Sequence, residues 1–204
     1  MSPKRLREGA RQGIWPCIGL QDNALSALAG AQYHLDKVKE LVASRAVQTL
    51  WQKDKSLDEQ ARRGLQRELN QFHWHLRAFL WELVAARDTA LQWVNQAYGL
   101  GIEEAKVTWP VVKSEAQKQC KWCEQLDKLE KGVESDQYFE IREYRNFAHR
   151  AFLLVYADYD ENNNLSCLCL VPVREGQQQN FDLIAHLTNY LEAIRTLFDG
   201  LSRP

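Results

Sequence analysis

No apolar run in this sequence reaches the roughly 18 residues that would suggest a membrane span, so a helical membrane protein is not expected. The basic opening, MSPKRLREGARQG, is not followed by an apolar stretch, so it does not read as a secretory signal. Residues 1–22 instead read as an irregular basic arm, with Gly9, Gly13, Pro16 and Gly19 interrupting any regular element. Cysteines are few and odd in number, five in all, which argues against a secreted disulfide scaffold and for a reducing, cytoplasmic setting. Net charge is also nearly absent, at −1. Nothing therefore draws the whole chain towards nucleic acid or a membrane, and any phosphate contact must come from a local basic patch. There is no internal repeat, no low-complexity tract and no sign of a second domain, and 204 residues suit one domain.

What is present is apolar and periodic. Seven tryptophans permit a large core. Leu25, Leu28, Ala31, Leu35, Val38, Leu41 and Val42 recur at helical spacing and predict a first helix from about Asn23 to Trp51, capped by Asp22 or Asn23. Ser56 or Asp58 is the next cap. A long second helix follows to about Tyr98, striped by Leu65, Leu69, Phe72, Leu76, Phe79, Leu83, Leu91 and Val94. Between Ala78 and Val94 its other face is apolar too, with Trp81, Ala85, Ala86 and Trp93, which predicts burial all round. Gly99 and Gly101 end it.

Pro110 reads as a break, residues 111–131 as one charged amphipathic helix ending near Gly132, and Asp136 as the cap of a fourth helix running to about Phe152. The period then changes. LLVYADY (153–159) and LSCLCLVPV (165–173) flank the polar run DENNN, which is a hairpin signal, with Pro172 at a strand edge or end. FDLIAHLTNYLEAIRTLF (181–198) is a last helix. The expected fold is mainly α: an up-and-down helical bundle of about five helices with a β-hairpin inserted before the last helix. Residues 23–204 form a single domain that includes the hairpin 153–173.

The stretch EIREYRNFAHRAF (140–152) carries the chemistry. On a helix, Arg142, Arg145, Asn146 and His149 fall at i, i+3, i+4 and i+7, all on one face. Ile141, Tyr144, Ala148 and Phe152 lie together elsewhere and face the core. Arginine grips phosphate in a bidentate fork, histidine moves protons near neutral pH, and asparagine orients either partner. Together they suit cleavage of a phosphodiester by its neighbouring 2′-hydroxyl, without a metal. The plainer reading of the same residues is a solvated helix face with a structural histidine.

This stripe resembles the signature of the HEPN superfamily (higher eukaryotes and prokaryotes nucleotide-binding domains). There an arginine, four to six residues and a histidine lie on a late helix of an α-helical bundle. The resemblance extends loosely over residues 23–152, and the hairpin and last helix are additions to it. Arg142 has the right interval to His149 but is followed by Glu143. Arg145 is followed by Asn146, as the family prefers, but only three residues separate it from His149. The resemblance implies proton transfer by His149 and phosphate binding shared by Arg142 and Arg145. It further implies a metal-independent endoribonuclease of RNA with no cofactor, a homodimer with a composite site, and a toxin or anti-phage component with an antitoxin or defence-system partner. Non-catalytic members imply an alternative, a module that binds nucleotide, RNA or protein.

Two further groups of residues draw notice. The apolar second helix carries Arg77, Glu82, Arg87 and Asp88. Buried charges are normally paired, so Glu82 is expected to meet Arg142 or Arg145 and support the stripe, or else to form a salt bridge that only sets helix register. His73 and His75, about 200° apart around the helix, are poor joint metal ligands. The pairs Cys120–Cys123 (C-x-x-C) and Cys167–Cys169 (C-x-C) admit a zinc site. Their alternative is a role as small buried hydrophobes. Cys17 is uninformative. The arm residues Lys4, Arg5, Arg7 and Arg11 are a further source of phosphate contacts.

Overall fold

The computed structural model describes residues 14–44, 59–151, 153, 155–161, 165–171 and 181–199. The described chain is mainly helical, with a hairpin before the last helix. In order, the helices are α1 (Ile14–Ala43), α2 (Glu59–Ala97), α3 (Trp109–Lys118), α4 (Glu124–Val133), α5 (Asp136–Arg150) and α6 (Leu183–Asp199). A short 3-10 turn, Glu104–Lys106, precedes α3, and strands β1 (Val155–Tyr159), β2 (Leu165–Leu170) and β3 (Phe181–Asp182) lie between α5 and α6.

α1 and α2 form a long antiparallel pair, stitched from Gly30 opposite Glu82 through His34 opposite His75 to Ser44 opposite Glu68. α1 begins at Ile14, so residues 14–22, expected as an irregular arm, are helical, and Asp22 and Asn23 lie inside the helix rather than at its cap. Trp51, Ser56 and Asp58 lie outside the described residues, as do the arm cations and Pro172.

α2 ends as expected. Gly99 takes a left-handed φ of 56°. Its N–H reaches Gln96 O and that of Leu100 reaches Asn95 O, so the last carbonyls of α2 are satisfied. The same paired closure splits the expected 111–131 helix in two. Cys120 stands in the left-handed position with φ 53°. Its N–H bonds Gln117 O and that of Lys121 bonds Ala116 O. Pro110 does not break this segment; it sits in the first turn of α3. The end near Gly132 is as expected, since α4 closes at Val133. Ser135, not Asp136, caps α5, its side chain accepting from the Tyr138 N–H.

The hairpin pairs β1 with β2 antiparallel, from Val155 opposite Leu170 to Tyr159 opposite Leu165, with a register shift at Asp158/Tyr159. Phe181 and Asp182, expected as the start of the last helix, instead add β3 to the edge of β2. Asp182 then accepts the Ala185 N–H at 2.7 Å and starts α6. The core is built on Phe72, Leu76, Phe79, Leu83 and Leu91 of α2, Leu35 of α1, Ile141 and Tyr144 of α5, and Leu187, Tyr190 and Leu191 of α6. α2 is not buried all round. Trp93 is buried, but Trp74 and Trp81 remain 59% and 41% exposed.

Candidate functional site

α5 carries the site because its two faces differ. Tyr138, Ile141, Tyr144 and Ala148 are buried. Glu140 accepts a hydrogen bond from the Tyr190 hydroxyl at 3.0 Å and so ties α5 to α6. Burial, with the Glu140 charge nearby, pushes the Tyr144 phenol up to about 12 and the Tyr190 phenol further up. Both phenols stay neutral, as a buried anchor requires. Phe152 lies outside the described residues.

The opposite face of α5 runs antiparallel along α2. The Arg145 guanidinium lies over the Trp81 indole, 5.3 Å from its centroid, and the His149 ring meets the same indole edge-on at 5.6 Å. Further along, Arg87 lies over the Tyr138 ring at 4.6 Å and pairs with Asp88 at 2.8 Å. Arg142 is exposed, and Arg145 and Asn146 are half-buried. Arg145 Nε is buried without a hydrogen-bond partner among the described residues. The stripe is thus one face, as its spacing predicts, and Trp81 brings Arg145 and His149 together.

Glu82 does not complete it. Among the described residues no ion pair joins Glu82 to Arg142 or Arg145. Its side chain faces α1, where a Cβ on Gly30 would stand 3.1 Å from Glu82 Cδ, and its charge acts on His34. The helix phase explains this: Glu82 is one residue past Trp81, so about 100° round α2 from it.

His149 lines a cleft of about 510 Å³ between α2 and the end of α5. Asn70, His73, Trp74 and Arg77 enter it from α2, and Arg150 from α5. A smaller hollow of about 330 Å³ continues along α2 past Trp74 and Arg77 to Trp81 and Glu82. Two imidazoles, two guanidiniums and a flat indole therefore border one space. Burial holds the His73 imidazole below its ordinary value, favouring the neutral, proton-accepting form. Neither Arg142 nor Arg145 lines the large cleft.

His73, Arg77 and Trp74 went unassigned at the level of sequence, although a signal exists. Asn70, Trp74, Arg77 and Trp81 stand at i, i+4, i+7 and i+11, one face of the helix. His75 belongs to another face, with its Nδ1 2.9 Å from His34 Nδ1.

The cysteines are spread over different surroundings. Cys120 is exposed, Cys123 half-buried and Cys169 buried, and the Cys17 and Cys167 side chains lie outside the described residues. Burial pushes the Cys123 thiol up. The Tyr98 hydroxyl 3.4 Å away and the Leu126 and Gln125 amides outweigh it, so the net direction is down. Among the described residues no group of three or more His, Cys, Asp or Glu is placed to hold a metal ion, and no helix is long and apolar enough to cross a membrane. Set against known proteins, the chain matches no family model, no curated protein and no solved structure.

Proposed function

We propose that the cleft between α2 and α5 binds RNA and cleaves it by metal-independent transesterification. The observation that carries this reading is the sharing of one cleft by His149, His73, Arg77 and Arg150. In the reaction, a neutral imidazole takes the proton of a ribose 2′-hydroxyl, and the 2′-oxygen attacks the adjacent phosphorus. The bond to the 5′-oxygen breaks, leaving a 2′,3′-cyclic phosphate, and the second ring, which enters the step as imidazolium, gives its proton to the departing 5′-oxygen. Burial suits His73 to the accepting role, which leaves the exposed His149 to deliver the proton. Arg77 and Arg150 offset the charge that builds on the phosphate oxygens. Trp81 holds Arg145 beside His149. A homodimeric, composite site and a setting as a toxin or anti-phage defence component rest on the HEPN resemblance alone.

A second reading has its own observation. The arginines of the stripe stand outside the cleft that His149 lines, which favours a module that binds RNA or nucleotide without cleaving it. One experiment separates the two. Purified wild-type protein and His149→Ala are incubated with mixed single-stranded RNA in EDTA, and products and retained RNA are both followed. The enzyme reading expects wild-type cleavage to cyclic-phosphate ends and a loss of about 100-fold or more in the variant. Equal cleavage by the variant removes His149 from the chemistry. Bound but intact RNA with both proteins establishes the binding module.

A further inference from the structure

We propose that the exposed indole of Trp74 is a stacking platform for one unpaired base, so that the cleft takes single-stranded and not duplex RNA. This rests on the reading of the cleft as an RNA site and adds the class of strand it accepts and the residue that selects it.

Among the described residues Trp74 is the most exposed of the large hydrophobic side chains, at 59%, although it projects from the helix that supplies the largest share of the core. An indole left in water forgoes the burial that its size would otherwise contribute. It is nevertheless firmly seated. The His34 ring packs edge-to-face against it at 5.3 Å, and the His75 ring does so at 4.7 Å. Those two imidazoles are themselves joined Nδ1 to Nδ1 at 2.9 Å. Trp74 is thus a flat apolar surface buttressed from the α1–α2 seam and turned outward.

Its surroundings name the occupant. Trp74 borders both the large cleft and the smaller hollow beside it, and Arg77 borders both with it. Arg77 follows one turn along α2, and Arg150 stands in the same cleft as Trp74. An aromatic plane flanked by guanidiniums matches a base flanked by phosphates. A purely apolar partner would leave those cations unsatisfied. Trp81 cannot serve in the same way, because Arg145 already covers its ring and His149 meets it edge-on. One platform is therefore assigned, adjoining the imidazole of His149. Bases stacked inside an A-form duplex cannot reach an indole, whereas a single strand can splay one out. Stacking reads the π-face that every base has, so the preference for sequence is weak.

The test uses the full chain and a short, fully 2′-O-methylated RNA strand, which cannot undergo the transesterification and so reports binding alone. Anisotropy titrations compare wild type, Trp74→Ala and Trp74→Phe. They use the intact strand, strands with one abasic position walked along them, and the corresponding duplex. The expected result is binding weakened about ten-fold or more by Trp74→Ala and largely retained by Trp74→Phe. One abasic position should weaken the wild type and leave Trp74→Ala unchanged. The duplex should bind both proteins equally poorly. Wild-type binding that Trp74→Ala and every abasic position leave unaltered overturns the platform while the cleft remains an RNA site. No binding of any strand by the wild type overturns the cleft reading and the platform with it. A wild-type dimer that Trp74→Ala converts to monomer in sedimentation, with strand affinity unchanged, assigns this face to a second copy of the chain and also overturns the proposal. If Trp74→Ala does not fold, the abasic walk on wild type and Trp74→Phe decides alone.

Discussion

At the scale of single residues, Gly132 shows how a side chain that is missing can set a contact. It lies in the last turn of α4, and a Cβ built on it would overlap the Leu197 side chain of α6. Leu197 is buried. Two effects oppose each other in Gly132→Ala. Alanine in a helix gains up to about 1 kcal/mol over glycine. Overpacking a closed core costs about 1–3 kcal/mol. The overlap is deep and Leu197 is buried, so packing is expected to outweigh the helix gain. The expected outcome is a net loss of about 1–2 kcal/mol, read as a lower urea midpoint with an unchanged slope. A variant as stable as the wild type would mean that α4 and α6 can part at no cost. The sequence presents this glycine as a helix terminator, because the contact partner lies 65 residues further along the chain.

At the scale of elements, α5 is the part whose formation decides whether a site exists. Its cap, Ser135, accepts the Tyr138 N–H and donates to Gly132 O at 2.7 Å. Its last turn carries His149 and Arg150, placed where positive charge complements the helix dipole. Cap and site are thus at opposite ends of one helix. Ser135→Ala is expected to cost about 1 kcal/mol in chemical denaturation, and on the proposed reading the RNA affinity of the folded protein stays at the wild-type level. A drop in affinity beyond the folded fraction would show that fraying of the first turn reaches His149.

The same helix marks what was legible in advance. Ile141, Tyr144 and Ala148 repeat at helical spacing and are buried, and Arg142, Arg145, Asn146 and His149 share the other face, because both follow from 3.6 residues per turn. The break after α3 was not legible. It depends on Cys120 adopting a left-handed φ that glycine or asparagine would have announced. β3 was not legible either, since two residues have no period. The cleft combines α2 with the end of α5, and no local pattern states which polar residues of one helix will face those of another. For the same reason the sequence leaves open whether Glu82 meets the α5 arginines or only sets helix register, and its side chain faces Gly30 of α1.

At the scale of the whole molecule, the histidines make stability depend on pH. His34, His73, His75 and His186 are all held below the ordinary imidazole value, in each case first by burial. The groups facing them modify this. Glu82 raises His34, Glu140 raises His186, and His34 and Lys37 lower His75 while Glu40 raises it. The sign follows directly. The unfolded chain accepts protons on these rings near pH 6.5, and the folded chain accepts them only at lower pH. The stabilisation is therefore complete above about pH 6.5 and is lost as pH falls through the folded values. Each ring charged in the unfolded chain and neutral in the fold contributes at most about 1.4 kcal/mol per pH unit. The His34–His75 contact sharpens the effect, because two Nδ1 atoms 2.9 Å apart share a bond that exists only while one of them lacks its proton. Full protonation sets two N–H groups against each other in the α1–α2 seam, directly beneath Trp74. Denaturation midpoints measured from pH 7.5 down to pH 5 should fall steadily, and His75→Gln should flatten the profile as it removes one ring and the shared bond. A wild-type midpoint that stays level across this range would show that the seam takes up protons without separating. On the proposed reading, the rise in strand affinity that phosphate contacts gain from positive charge at low pH would then not be offset by a loosened platform.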